Sequence, residues 1–192
     1  MSLQPPAEVL REFVIAGHYN LPKVQQMLAE RPELLNLSYE WAPDDHETAL
    51  QAAAHAGCPP VAEYLLALGA PLDICTAAML GRQAVVAGFL EDDPAKIEAT
   101  GAHHIPLLAH AALSGNVELV QVLVQRGARN GLSFALSNAV TKGHAGLARW
   151  LLENEKPDLG WKNYQDKTPL TIALESGSDE LAGLLRAHGA QA

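Results

Sequence analysis

The sequence predicts an all-α protein built as a stack of short helices rather than around one globular core. Three observations predict it. Of 192 residues, Ala supplies 32 and Leu 30, while aromatics make up only 5% of a chain that is 48% hydrophobic; small unbranched side chains favour helices over a sandwich, which needs β-branched and aromatic residues. Six glycines, at positions 17, 57, 81, 115, 143 and 177, each close one apolar helical pattern and open another, with steps of 40, 24, 34, 28 and 34 residues. That spacing lies in the range of repeat architectures. Finally, the apolar residues behind each glycine recur at shared offsets, spaced i, i+3, i+4 and i+5 to form one broad helical face.

Each unit reads as a short Ala-rich helix, a Gly turn and a longer Leu/Val-rich helix. After Gly17 the apolar set comes two residues late, as Val24, Met27 and Leu28. The second unit opens on Thr48-Ala49-Leu50-Gln51-Ala52-Ala53, where Thr48 suits a helix N-cap and Gln51 completes the Thr-x-x-Gln capping-box spacing. Behind Gly57 follow Val61, Tyr64, Leu65 and Leu66, then Gly69-Ala70. The third unit offers Val85, Val86, Phe89 and Leu90 after Gly81. The fourth offers Leu119, Val120, Val122, Leu123 and Val124 after Gly115, closing on Gly127-Ala128. Leu147, Trp150, Leu151 and Leu152 follow Gly143. The sixth opens on Thr168-Pro169-Leu170-Thr171-Ile172-Ala173, with proline at the first helical position where its missing N–H costs nothing. It continues through Leu181, Leu184 and Leu185 to Gly189-Ala190. The closing glycines suit a helix C′ position, which takes left-handed backbone angles.

This pattern resembles the ankyrin repeat, with its Thr-Pro-Leu-His-x-Ala box, Gly turn and terminal Gly-Ala. The resemblance runs over roughly residues 7 to 190 as six units, approximately 5–36, 43–70, 71–93, 101–128, 129–156 and 163–190 of a single domain spanning 1–192. In the sixth unit only the box His is replaced, by Thr171. The second has Ala49 and Gln51 for the box Pro and His. The fourth carries Pro106-Leu107-Leu108-Ala109-His110-Ala111 at the box, and the first, third and fifth keep only the Gly and the apolar offsets. A tetratricopeptide array has a similar period, but its aromatic positions are not met.

Connections between units alternate in length. Long ones run over Leu34–Glu47, Glu91–Ile105 and Asn154–Lys167; only residues 70–74 and 128–132 follow Gly69 and Gly127. The expected fold is therefore an ankyrin-repeat solenoid of six helix-turn-helix units with three long and two short inter-repeat connections. It forms three doublets with a supercell of 62 residues, Gly81 to Gly143 and Gly115 to Gly177. Small facing residues, Ala52, Ala53, Ala77, Ala78, Ala111 and Ala112, let thin layers stack. Terminal units need polar outer faces, which Arg11, Glu12, Glu175, Asp179, Glu180 and Arg186 supply.

Thirteen basic against 22 acidic residues leave a net charge of −9 with no clustered cations, which argues against nucleic acid as a partner. The first six residues, Met-Ser-Leu-Gln-Pro-Pro, lack the basic and apolar regions of a secretory signal. The longest apolar stretches, such as Ile105 to Leu113, fall far short of the roughly 18 residues of a membrane span. Cys58 and Cys75 are too few for a disulfide framework. A monomeric cytoplasmic protein is expected.

No Gly-x-Ser-x-Gly, His-Glu-x-x-His, Gly-x-Gly-x-x-Gly or phosphate-binding loop occurs, so no enzymatic activity, catalytic residue, cofactor or metal ligand is expected. The resemblance implies instead a protein-protein interaction module or scaffold that binds a protein partner through its concave groove and finger tips. It points to the two residues before each Gly: Ile15-Ala16, His55-Ala56, Met79-Leu80, Leu113-Ser114, Thr141-Lys142 and Glu175-Ser176. Among these, Met79, Leu80 and Leu113 form an apolar centre, either exposed as a hot spot or covered by the 91–105 connection. With Lys142 and Glu175, the contact candidates include Tyr39, Trp41 and His46 on the first finger, His103 and His104 on the second and Tyr164 on the third. Trp161 is expected to anchor its own finger, and Trp150 to lie in the core. The eight histidines, among them His46, His55, His103, His104 and His110, motivate an alternative: a regulator holding a metal or small ligand in a histidine-lined groove. The adjacent pair His103-His104 could not jointly ligate one ion from an extended segment, whose successive side chains point to opposite faces.

Overall fold

The computed structural model describes residues 5–191; the first four residues of the stretch inspected for a secretory signal lie outside them. Twelve α-helices occur among the described residues, arranged as six antiparallel pairs. They are α1 (Ala7–Gly17) with α2 (Leu21–Glu30), α3 (Ala49–Ala56) with α4 (Pro59–Ala67), and α5 (Ile74–Met79) with α6 (Gln83–Asp92). After these come α7 (Leu107–Leu113) with α8 (Val117–Gln125), α9 (Leu132–Thr141) with α10 (Ala145–Asn154), and α11 (Pro169–Glu175) with α12 (Asp179–Ala187). The first helix of each pair packs on the first helix of the next, from α1 to α11. The fold is the expected all-α ankyrin solenoid with three long and two short connections.

Local chemistry sets the helix ends. Thr48 accepts from the Gln51 N–H while the Gln51 side chain accepts from the Thr48 N–H, a complete capping box. Thr168 caps α11 through the Thr171 N–H, ahead of Pro169. Gly57 ends α3 at φ 63°, in the left-handed region that glycine enters without a Cβ penalty. In the short connection before α5, Asp73 accepts from the Thr76 N–H at 2.7 Å, so this link is a helix cap and little else.

The long connections differ from one another. The first forms a 3-10 turn over Pro32–Asn36 and then a hairpin of β1 (Ser38–Ala42) and β2 (Asp45–Thr48). The second folds into two 3-10 turns, Pro94–Glu98 and Ala102–His104, joined by a single bridge between Thr100 and Pro106. The third is closed by Asn163, whose side chain accepts from the N–H groups of Gln165 and Lys167. Trp161 packs its ring 4.9 Å from that of Phe134 on α9, anchoring this finger as expected.

Buried apolar residues join into two clusters. One gathers Phe13, Val24, Leu28, Leu50, Val61 and Leu65 from the first two units and takes in Met79. The other runs from Ile74 and Cys75 to Leu185 and Ala190. The division falls within α5, whose residues serve both. The six polar end residues, Arg11, Glu12, Glu175, Asp179, Glu180 and Arg186, are exposed.

Close stacking depends on small residues. A β-carbon at Gly17 would stand 2.7 Å from the Ala49 carbonyl oxygen and 2.8 Å from its Cα. Gly17→Ala must therefore push α1 off α3 and lower stability by roughly 1–3 kcal/mol. Gly183, inside α12, has open space around a would-be β-carbon; Gly183→Ala should gain up to about 1 kcal/mol. Chemical denaturation of the two variants checks the opposite signs.

Candidate functional site

The hairpin folds its inner face over the first two units. Strand periodicity puts Asp45 and Glu47 on one face and His46 on the other; His46 is exposed, whereas Glu47 has no exposed surface at all. On β1, Tyr39 and Trp41 share a face, edge to face with ring centres 4.8 Å apart. The Trp41 indole N–H donates to Glu47 Oε2 at 2.7 Å, and the Arg11 guanidinium lies 5.5 Å from the Trp41 ring centre.

Three imidazoles meet the other carboxylate oxygen. His55 on α3 places Nε2 2.6 Å from Glu47 Oε1. His18, just beyond α1, places Nε2 at 3.7 Å, and His103 does so at 3.5 Å. The remaining ring nitrogens of two of them are tied down. His18 Nδ1 lies 3.1 Å from the Val14 carbonyl and 3.2 Å from that of Ile15, at the C-terminal end of α1. His103 Nδ1 lies 2.7 Å from Asp45 Oδ2, and its backbone N–H donates to Asp45 Oδ1. This holds the second long connection onto the first finger.

Charge follows from these partners. Burial pushes the Glu47 carboxyl up, but the His55 hydrogen bond, the positive charges available on His55 and His18, and the Trp41 N–H outweigh it. The net result lies below the ordinary carboxylate value. Burial lowers His18, against the pull of Glu47. The hydrogen bond from His103 lowers Asp45. At neutral pH the centre of the cluster is thus a buried carboxylate ringed by imidazoles.

Of the residues expected to mark a binding surface, His55, His103 and Trp41 come together here, with Tyr39 beside them. His104 does not join. The pair is not extended: both residues have left-handed backbones, φ 56° and 55°; His103 reaches Asp45 and Glu47, though both histidines keep exposed surface. His18, Asp45 and Glu47 were not expected here. His18 follows a unit's Gly rather than preceding it, and Glu47 stands one place before the Thr box. Neither position carries a signal in the repeat register.

The apolar centre is a correction. Met79 is 2% exposed and belongs to the first core, with Leu80 and Leu113 packed partly buried against it. The turn after α3 presses on this region: a β-carbon at Gly57 would lie 3.1 Å from Leu113 Cδ2 and 2.7 Å from Lys142 Cε. Lys142 is not a free groove cation either, since its Nζ donates to the carbonyls of Ala56 and Gly57, from the fifth unit to the second. Tyr164 stands 94% exposed at the third finger tip. Glu175 is exposed and pairs with Lys167.

The repeat geometry and the fingers define a solenoid of the interaction-module type. Family models for ankyrin repeats match residues 107–192, as three copies, and residues 45–77, as one. Together they span more than half of the sequence, and the chain belongs to the ankyrin-repeat family. Such repeats are generally protein-protein interaction modules. The unmatched stretches include the first unit and the outer helix of the third, where only the Gly and apolar offsets survive. No curated protein matches the chain.

Two outcomes follow from the buried polar groups. Trp41→Phe keeps an aromatic ring but removes a donor to a buried charge, so it should cost about 2 kcal/mol in a urea melt. His110 is wholly buried beside Gly101. Its ring nitrogens find no hydrogen bond of good geometry, although the Ala54 and Ile105 carbonyls lie near. Burial, reinforced by the neighbouring His55, lowers its pKa from 6.5 to about 4. The unfolded chain therefore binds a proton at higher pH than the folded one. Stability falls as pH drops from 6.5 toward 4, by up to about 3 kcal/mol from this group. His110→Leu should flatten that acid limb, as read by denaturation at stepped pH.

Proposed function

We propose that the chain is a non-enzymatic protein-binding module, a scaffold whose contact surface is the C-terminal end of the groove and its finger tip. The observation that carries this is the third finger. It holds Tyr164 almost fully in solvent, 94% exposed, while α11 beside it leaves Leu174 43% exposed. The finger is internally braced by the Asn163 turn, the Lys162–Asp166 ion pair and the Trp161–Phe134 contact, and Lys167–Glu175 ties it to α11. A rigid, presented tyrosine loses little freedom on binding, and tyrosine is enriched among residues that dominate interface energies. The groove centre, closed by Lys142 and the Gly57 turn, is less suited to a partner.

We read the module as monomeric and cytoplasmic. Both cysteines are free thiols, which suits a reducing compartment, and the net charge of −9 disfavours nucleic acid. No helix among the described residues is long and apolar enough to cross a membrane.

Affinity capture from the native source with wild-type chain and with a Tyr164→Ala/Leu174→Ser variant tests the surface. Exposed substitutions should change stability by about 0.5 kcal/mol or less. The expected result is loss of captured proteins with an unchanged melt; an identical captured set from both chains would overturn the assignment.

A further inference from the structure

The Glu47 cluster has more in it than a buried carboxylate needs. The indole N–H of Trp41 and one imidazole N–H from His55 already satisfy both of its oxygens. Yet His18 and His103 also aim Nε2 at Oε1. Their Nδ1 atoms face only acceptors: backbone carbonyls for His18, the Asp45 carboxylate for His103. An Nδ1 facing an acceptor carries the proton, so in the neutral ring Nε2 presents a lone pair. Two further imidazole nitrogens therefore crowd an anionic oxygen that is already hydrogen-bonded, and as neutral rings they present lone pairs that a cation would engage.

Outer hydrogen bonds that fix Nδ1–H and aim Nε2 inward are the second layer found around metal-bound histidines. The ligand atoms of His18, Glu47 and His55 all lie within 4.8 Å of one another. Bonds of the length zinc makes to nitrogen and oxygen set tetrahedral ligand atoms about 3.4 Å apart. The separations from Glu47 Oε1 to His103 and His18 are 3.5 and 3.7 Å. His55, at 2.6 Å, must withdraw by about 0.8 Å as its proton gives way to the metal, and His103 must close in on the other ligands. The consecutive left-handed backbones of His103 and His104 are a further mark. Such conformations are uncommon for residues other than glycine and cluster at functional sites, and this one is what delivers His103 to the cluster.

We propose that His18, Glu47 and His55 form a zinc site that His103, lying outside their mutual 4.8 Å reach, closes by moving inward as the ion binds. All-nitrogen-and-oxygen ligation by three imidazoles and one carboxylate suits Zn²⁺ over Mg²⁺ or Ca²⁺, which take oxygen ligands. With four protein ligands the site is closed, hence structural or regulatory. Its ligands come from the end of α1, the hairpin, α3 and the second long connection, so the ion would clamp the first finger to the units on either side. This stands apart from partner binding at the third finger.

The probe is Zn²⁺ itself. Full-length chain stripped with chelator is dialysed against ZnCl₂ and its bound metal is measured by mass spectrometry, with a thermal melt in parallel and Co²⁺ absorption as a report of tetrahedral ligation. The expected result is one ion per chain, a raised melting temperature and intense visible Co²⁺ bands. His18→Gln and His103→Gln should each weaken binding by about 10-fold or more, whereas His46→Gln and His104→Gln, on the exposed faces, should not. Melts of the metal-free variants verify that they fold. The proposal is overturned if the wild-type chain takes up no stoichiometric zinc, or if folded His18→Gln and His103→Gln bind it as tightly as the wild type.

Discussion

Glu47 is the constraint around which the first half of the molecule is arranged. A carboxylate taken wholly out of water costs several kcal/mol unless charged or hydrogen-bonding partners surround it. Its partners come from four separate segments: the end of α1, strand β1, helix α3 and the connection between the third and fourth units. Satisfying one oxygen pair therefore fixes the hairpin against two helices and draws a remote finger onto the first. Asp45 extends the same logic, holding His103 through both its side chain and its backbone.

The rest of the stack obeys a simpler rule, the thickness of its layers. Inner helices meet through Ala and Gly, so backbones approach until a single added carbon would collide, as at Gly17 against Ala49. The short α5 lets α3 also touch α7, and the inner-helix ends converge enough for Lys142 to reach the turn after α3. These contacts cover the centre of the groove, while Tyr164 and Leu174 of the sixth unit stay exposed.

The fold was largely legible in the sequence because a solenoid is local. Each unit repeats the same glycine, the same cap and the same apolar offsets, and each contacts mainly its neighbours. The six helix pairs, the alternation of long and short connections and the Thr48 and Thr168 caps all follow from residues within about a dozen positions of one another. The site was much less legible. Glu47 reads as an ordinary polar residue on a finger, His18 as the residue after a turn, and nothing in the register says that they meet. Their meeting depends on how the hairpin folds over the stack, a contact between units that do not share a repeat position. Of the apolar centre, left open between exposed and covered, Met79 is buried and Leu80 and Leu113 are half-buried, because the turn after α3 packs against the ends of the inner helices.

On the reading proposed above, the two ends of the stack have different tasks: a preformed finger for protein contact at the sixth unit, and a carboxylate-histidine cluster for internal bracing at the first two. The bracing is the central physical claim, and it depends on where the imidazole protons sit. Nitrogen-15 NMR of the metal-free chain at neutral pH reads this directly through the tautomers of His18 and His103. Both rings should hold a proton on Nδ1, toward the Val14 and Ile15 carbonyls for His18 and toward Asp45 for His103. Rings protonated only at Nε2, or averaging freely between tautomers, would contradict the account.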